Sequence, residues 1–159
     1  MTRTIALIAA AALFAACGGP AEPKAPAGAK PLYETGRDVA VDIQAAIAKA
    51  RAEKKRILVE AGGDWCPWCH TMHKFYEANP KLAELRDKKF VVVPVAVESG
   101  KPLPKALAAY PPPAGFPHLW VLDENGSMLQ SQDTSKLEKG ESYDLEKFEF
   151  FLKDFGTRR

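Results

Sequence analysis

Glu60-Ala61-Gly62-Gly63-Asp64-Trp65-Cys66-Pro67-Trp68-Cys69-His70 follows a short apolar, β-branched run, Ile57-Leu58-Val59, and leads into a segment from Pro67 to Ala78 that reads as a helix with proline in its first turn. The run reads as a buried strand, so the two cysteines fall at a strand-to-helix turn. There the unpaired N–H groups and the helix dipole stabilise a thiolate, which makes Cys66 the nucleophile. Cys69, one turn in, is close enough to pair with Cys66 in a disulfide. Attack on a substrate disulfide passes through a mixed disulfide that a second thiol must resolve, and this chemistry needs a pair at such spacing. Glu60 is an acid directly after a buried strand, where acids are depleted. It reads as a buried proton acceptor whose pKa burial raises, suited to take the proton of Cys69 during resolution.

The remaining elements follow from periodicity and punctuation. Val41, Ile43, Ala46, Ile47 and Ala50 have helical spacing and end at the basic cluster Lys54-Lys55-Arg56, where cations suit a helix C-terminus. Asn79-Pro80 reads as a cap opening a second short helix through Arg86. Phe90 to Val97 (FVVVPVAV) is a second buried strand, and strand, helix, strand implies a parallel pair. Leu103 to Tyr110 reads as a helical stretch broken by proline. His118 to Leu122 and Ser127-Met128-Leu129 flank Asp123-Glu124-Asn125-Gly126, where Asn-Gly predicts a hairpin. Leu145, Phe148, Phe151, Leu152 and Phe155 close the domain with an aromatic helix face.

The chain has 159 residues, 47% hydrophobic and 26% charged, which fits one domain with its own core. A net charge of +2 without a long basic run leaves no electrostatic footprint for nucleic acid. Three cysteines are too few for a disulfide-stapled scaffold, so each is read singly. Residues 1–16 read as a secretory signal, with Arg3 before an apolar stretch from Ile5 to Ala16, which is too short for the about 20 residues a membrane span needs. Leu13-Phe14-Ala15-Ala16-Cys17-Gly18-Gly19 resembles the lipobox of bacterial lipoproteins, with Phe14 where that family usually has leucine. The resemblance implies cleavage before Cys17 and its lipidation, so that the protein is anchored to a membrane and not spanning it. Residues 17–32 then hold the lipidated cysteine and a Pro/Ala/Gly tether, and 33–159 the folded domain.

Trp65-Cys66-Pro67-Trp68-Cys69 looks like the active site of the thioredoxin superfamily, in particular its secreted bacterial W-C-x-W-C branch. The resemblance implies a thioredoxin fold of class α/β: a central mixed sheet flanked by helices, with a closing hairpin and a C-terminal helix. It places the family's buried acid on Glu60 and its cis-proline on Pro117 in Gly115-Phe116-Pro117-His118. It also implies a redox disulfide between Cys66 and Cys69, and a substrate-binding surface of Trp65, Pro67, Trp68, Phe116 and Pro117. Pro67-Trp68 matches neither the Gly-Pro of thioredoxin nor the Pro-His of the strong periplasmic oxidase, so the direction of electron flow is not carried over. Trp68 offers the thiolate no cation or hydrogen bond, which favours reduction or exchange over primary oxidation. The expected partners are protein thiols and disulfides, an upstream membrane thiol-electron donor and, through the lipid anchor, a membrane. A monomer on the periplasmic side of a bacterial membrane is expected, without a dissociable cofactor.

Two other readings fit the same residues. Cys66-Pro67-Trp68-Cys69-His70 satisfies C-x-x-C-H, the attachment pattern of c-type haem, with Met72 or Met128 as an axial ligand. Cys66, Cys69, His70 and His73 form a zinc or copper ligand set by type, although His70 and Cys69 diverge by about 100° on a helix. All three histidines, His70, His73 and His118, read by default as solvated polar residues, and Phe75, Phe148 and Phe151 as core.

Overall fold

The computed structural model describes residues 31–157. The stretch expected to be a secretory signal and Cys17, with most of the expected tether, lie outside the described residues.

Helix α1 (Val39–Glu53) starts where the Asp38 carboxylate accepts the N–H groups of Ala40 and Val41. It ends at Lys54, which takes the left-handed conformation with φ 56°. The basic cluster therefore divides. Arg56 opens strand β1 (Arg56–Gly62), and its guanidinium donates to the Phe155 carbonyl. Helix α2 (Pro67–Ala78) and helix α3 (Pro80–Lys89) connect β1 to β2 (Phe90–Ala96), which pairs with β1 in parallel. Asn79 does not cap α3 through its side chain; its amide donates to the Phe75 carbonyl at 2.8 Å and closes α2 instead. Leu103 to Tyr110 contains only one short 3₁₀ turn, Lys105–Leu107.

The Asn-Gly hairpin joins β3 (His118–Leu122) to β4 (Met128–Asp133), with Asp123 accepting the N–H groups of Asn125 and Ser127 and Gly126 at φ 88°. β3 pairs antiparallel with β1, giving a sheet order β2-β1-β3-β4. A second, two-residue pair, β5 (Glu138–Lys139) and β6 (Ser142–Tyr143), precedes α4 (Leu145–Phe155).

Alternation along the strands creates two cores. Ile57, Val59, Trp120 and Leu122 face α1 residues Ile43, Ala46, Ile47 and Ala50. Leu58, Leu119 and Val121 face Met72, Phe75, Phe148 and Phe151 of α2 and α4. The result is a mixed sheet between helices, as expected for a thioredoxin fold. Glu60 shares the face of Leu58, two residues further along β1, and this places it on the side of α2 that carries the cysteines.

Candidate active site

β1 delivers the chain to Gly62 and Gly63, where the backbone passes too close to its neighbours for a side chain. A Cβ at Gly62 would lie 2.6 Å from both Cys69 Sγ and the Tyr33 hydroxyl, and one at Gly63 would lie 2.7 Å from the Val97 carbonyl. Cys66 follows as the N-cap of α2 in extended conformation, with Pro67 in the first turn. Its Sγ accepts the Cys69 N–H at 3.2 Å, and its carbonyl accepts the N–H groups of Cys69 and His70 at 3.1 and 3.3 Å. The helix-start donors thus converge on Cys66.

Cys66 and Cys69 form a disulfide with a Cα–Cα distance of 5.3 Å, and they are 3% and 1% exposed. Cys66 Sγ lies 3.4 Å from the Phe116 carbonyl oxygen, immediately before the cis Phe116–Pro117 peptide bond. Pro117 is buried, and its carbonyl accepts the Thr134 hydroxyl at 2.6 Å. The Trp65 indole donates to the Val97 carbonyl at 2.7 Å and meets Phe116 edge-on at a ring separation of 5.9 Å. Trp68 meets Tyr143 edge-on at 5.5 Å. Pro67 is exposed, while Trp65, Trp68 and Phe116 are half-buried. These four residues form an apolar rim around the sulfurs.

Glu60 keeps a little accessible surface, but its carboxyl group is enclosed by protein. The loss of solvent pushes its pKa above the ordinary value, against the opposing pull of Arg86, a hydrogen bond from Tyr33, and His73. The Tyr33 hydroxyl donates to Glu60 Oε1 at 3.1 Å. Burial foremost, together with the nearby Glu60 carboxylate, raises the pKa of Tyr33 itself. Asp64 binds the same segment, accepting the N–H groups of Leu32 and Tyr33 at 3.0 and 3.3 Å. Neither Tyr33 nor Asp64 stands out in the sequence, because their contacts span 27 to 32 residues. Leu32, at the end of the expected tether, is thereby already fixed to the domain.

Two of the three histidines differ from the default. His118 is 3% exposed and stacks on Trp120 at 4.6 Å, with Nε2 2.9 Å from Ser131 Oγ and Nδ1 buried without a partner. Burial holds its pKa below the ordinary value. It is buried because β3 is covered on both faces, with every residue of the strand enclosed. His70 is half-buried and donates from Nε2 to the Asp64 carbonyl at 2.7 Å. His73 is exposed, as expected, and pairs with Glu77 at 3.3 Å. Among the described residues, no group of three or more His, Cys, Asp or Glu is arranged to hold a metal ion. Met72 is fully buried in the core beneath α2, and Met128 is exposed on β4.

The sequence profile of a family described as thioredoxin-like matches residues 36–124, more than half of the chain. The crystal structure of a disulphide isomerase from Xylella fastidiosa Temecula1 superposes with a TM-score of 0.68 at 21% sequence identity, over 80% of this chain and 98% of that one. At that identity the likeness is one of fold. No match was found among curated proteins. Because the profile match runs through Glu60, both cysteines and Pro117, on the fold such a match requires, the chain belongs to the thioredoxin-like family, whose C-x-x-C chemistry makes it a thiol–disulfide oxidoreductase.

Proposed function

We propose that the protein is a membrane-tethered, extracytoplasmic thiol–disulfide oxidoreductase that reduces or exchanges disulfides in protein substrates. The observation that carries the redox part of this reading is the position of Cys66, whose Sγ receives the Cys69 N–H at the start of α2 and faces the Phe116 carbonyl next to the cis-proline. In the reduced protein, the Cys66 thiolate attacks one sulfur of a substrate disulfide. The substrate bond breaks, a Cys66–substrate disulfide forms, and the departing substrate thiolate takes a proton from water. Cys69 then gives its proton to the Glu60 carboxylate, and its thiolate attacks Cys66 Sγ. The second substrate sulfur leaves as a thiolate, which water protonates. Two electrons have moved from the cysteine pair to the substrate. Pro117 and the Trp65, Phe116 and Trp68 rim receive the substrate chain beside the sulfurs.

What surrounds Cys66 supports the reductive direction. Trp68 is committed to Tyr143 and supplies no charge to the thiolate. The reduction potential should lie between about −270 mV and about −120 mV, the reducing and oxidising ends for such C-x-x-C pairs. Equilibration with glutathione mixtures measures it, and a potential at or above the oxidising end would overturn the reductase reading.

The tether is proposed from the lipobox-like Cys17. No helix among the described residues is long and apolar enough to cross a membrane. Cys17→Ala should leave the precursor uncleaved or mislocalised, whereas the wild type partitions into detergent and carries acyl mass. Recovery of a soluble, unacylated wild-type protein would exclude lipid anchoring.

A further inference from the structure

The segment entering the domain ends at the redox pair. The Asp64 carboxylate, two residues before Cys66, holds the backbone N–H groups of Leu32 and Tyr33. This pin carries the Tyr33 ring, 4% exposed, into the cluster formed by Cys66 and Cys69. The Tyr33 hydroxyl and Cys69 Sγ both lie 2.6 Å from the point a Gly62 Cβ would occupy, so they line one small space beside β1. The same hydroxyl donates to Glu60 Oε1 at 3.1 Å. Tyr33 thus touches the acceptor and adjoins the thiol whose proton that acceptor takes. It also lies outside residues 36–124, the span matched by the family profile.

We infer that Tyr33 is a positioning residue for this proton transfer, whose hydroxyl holds the Glu60 carboxylate ionised and facing Cys69 during resolution of the mixed disulfide. The inference rests on the reading of Glu60 as the proton acceptor. The charged and titratable groups that face Glu60 are Tyr33 from the entering segment, His73 and Tyr76 from α2, Arg86 from α3 and Tyr143 from β6. Arg86 is held by Asp87 at 2.8 Å and lies over the Tyr76 ring, and His73 pairs with Glu77. Among the described residues, Tyr33 is the group that hydrogen-bonds the Glu60 carboxyl. A hydroxyl that donates to a carboxylate favours its charged form over its protonated form. That bond partly offsets the desolvation that favours the protonated form of Glu60, the form that cannot accept from Cys69.

Tyr33→Phe removes the hydroxyl and keeps the ring and both backbone bonds to Asp64. The full-length protein in detergent, reduced and mixed with a peptide disulfide, is followed in single turnover from pH 5 to 9. Acid quench and mass spectrometry separate the attack step from resolution. The expected result is a resolution limb moved upward by about one pH unit, making resolution near the wild-type midpoint several-fold to about tenfold slower, with rates converging at high pH and attack unchanged. In a Glu60→Gln background, Tyr33→Phe should add nothing. A wild-type pH profile for Tyr33→Phe, where Glu60→Gln does change the profile, overturns the inference and leaves the role of Glu60 standing. A Tyr33→Phe effect of equal size in the Glu60→Gln background also overturns it, since the ring would then act by another route. An unchanged profile in Glu60→Gln itself overturns the underlying reading of Glu60.

Discussion

Cys69→Ser should accumulate a covalent mixed disulfide with substrate through Cys66, while Cys66→Ser should trap nothing and lose disulfide reduction altogether. The two sulfurs sit in unequal places, and the difference in outcome follows from that. Cys66 caps α2, receives the Cys69 N–H at 3.2 Å, and lies beside the Phe116 carbonyl at the apolar rim. Cys69 is inside the first turn, against Gly62 and Tyr33. Only a sulfur at the helix start has both the donors that favour a thiolate and a line of approach for substrate. A hydroxyl at position 69 cannot expel the substrate thiol, so the reaction halts after its first step. Haem attachment or metal ligation would use the two cysteines alike, and the variants would then fail in the same way. Nonreducing electrophoresis and intact mass of Cys69→Ser after exposure to a disulfide substrate report the adduct. Absence of any adduct, with wild-type protein that carries stoichiometric haem or metal, would overturn the redox assignment.

What could be read from the chain in advance was local. Ile57-Leu58-Val59, the cysteine pair with Pro67 and the Asn125-Gly126 turn each announce their own element, because strand patterning, helix starts and tight hairpins are decided within a few residues. The parallel pairing of β1 with β2 followed from the helices between them. The burial of the Glu60 carboxyl was legible because an acid directly after the apolar run Ile57-Leu58-Val59 is out of place in a solvated setting. Tyr33 and Asp64 were not, since a lone tyrosine after a Pro/Ala/Gly spacer and an aspartate in a turn are unremarkable until the fold brings them together. His118 was misread for a related reason. Its burial depends on the strands and the Trp120 ring around it, not on any pattern in its neighbours. The β5–β6 pair escaped notice because two-residue strands carry no periodicity.

Glu60→Gln should slow resolution of the mixed disulfide by about 10²-fold at neutral pH, as the loss of a positioned general base does, and leave the attack by Cys66 nearly unchanged. The same substitution should make the protein more stable. Desolvation raises the Glu60 pKa in the folded protein above its unfolded value, which is near 4.3. With a raised folded value, the stability contributed by this group is complete below the unfolded pKa and is lost as pH rises through the folded one, because ionisation is easier in the unfolded chain. Each unit of elevation costs the wild type about 1.4 kcal/mol by the time the group is ionised. Glutamine fills nearly the same volume, can accept the Tyr33 hydroxyl and does not titrate. The advantage of Glu60→Gln should therefore be smallest near pH 4, grow as pH rises through the folded Glu60 pKa, and then level off. In thermal unfolding each kcal/mol corresponds to a Tm difference of about 2–4 °C for a chain of this length. A Tm difference that does not vary between pH 4 and 9, or a wild type more stable than the variant at pH 8, would show that the ionised Glu60 carries no net desolvation cost within β1. Slower resolution and greater stability in one variant is the signature expected of a carboxylate kept buried for the proton it must accept, at a cost to the fold.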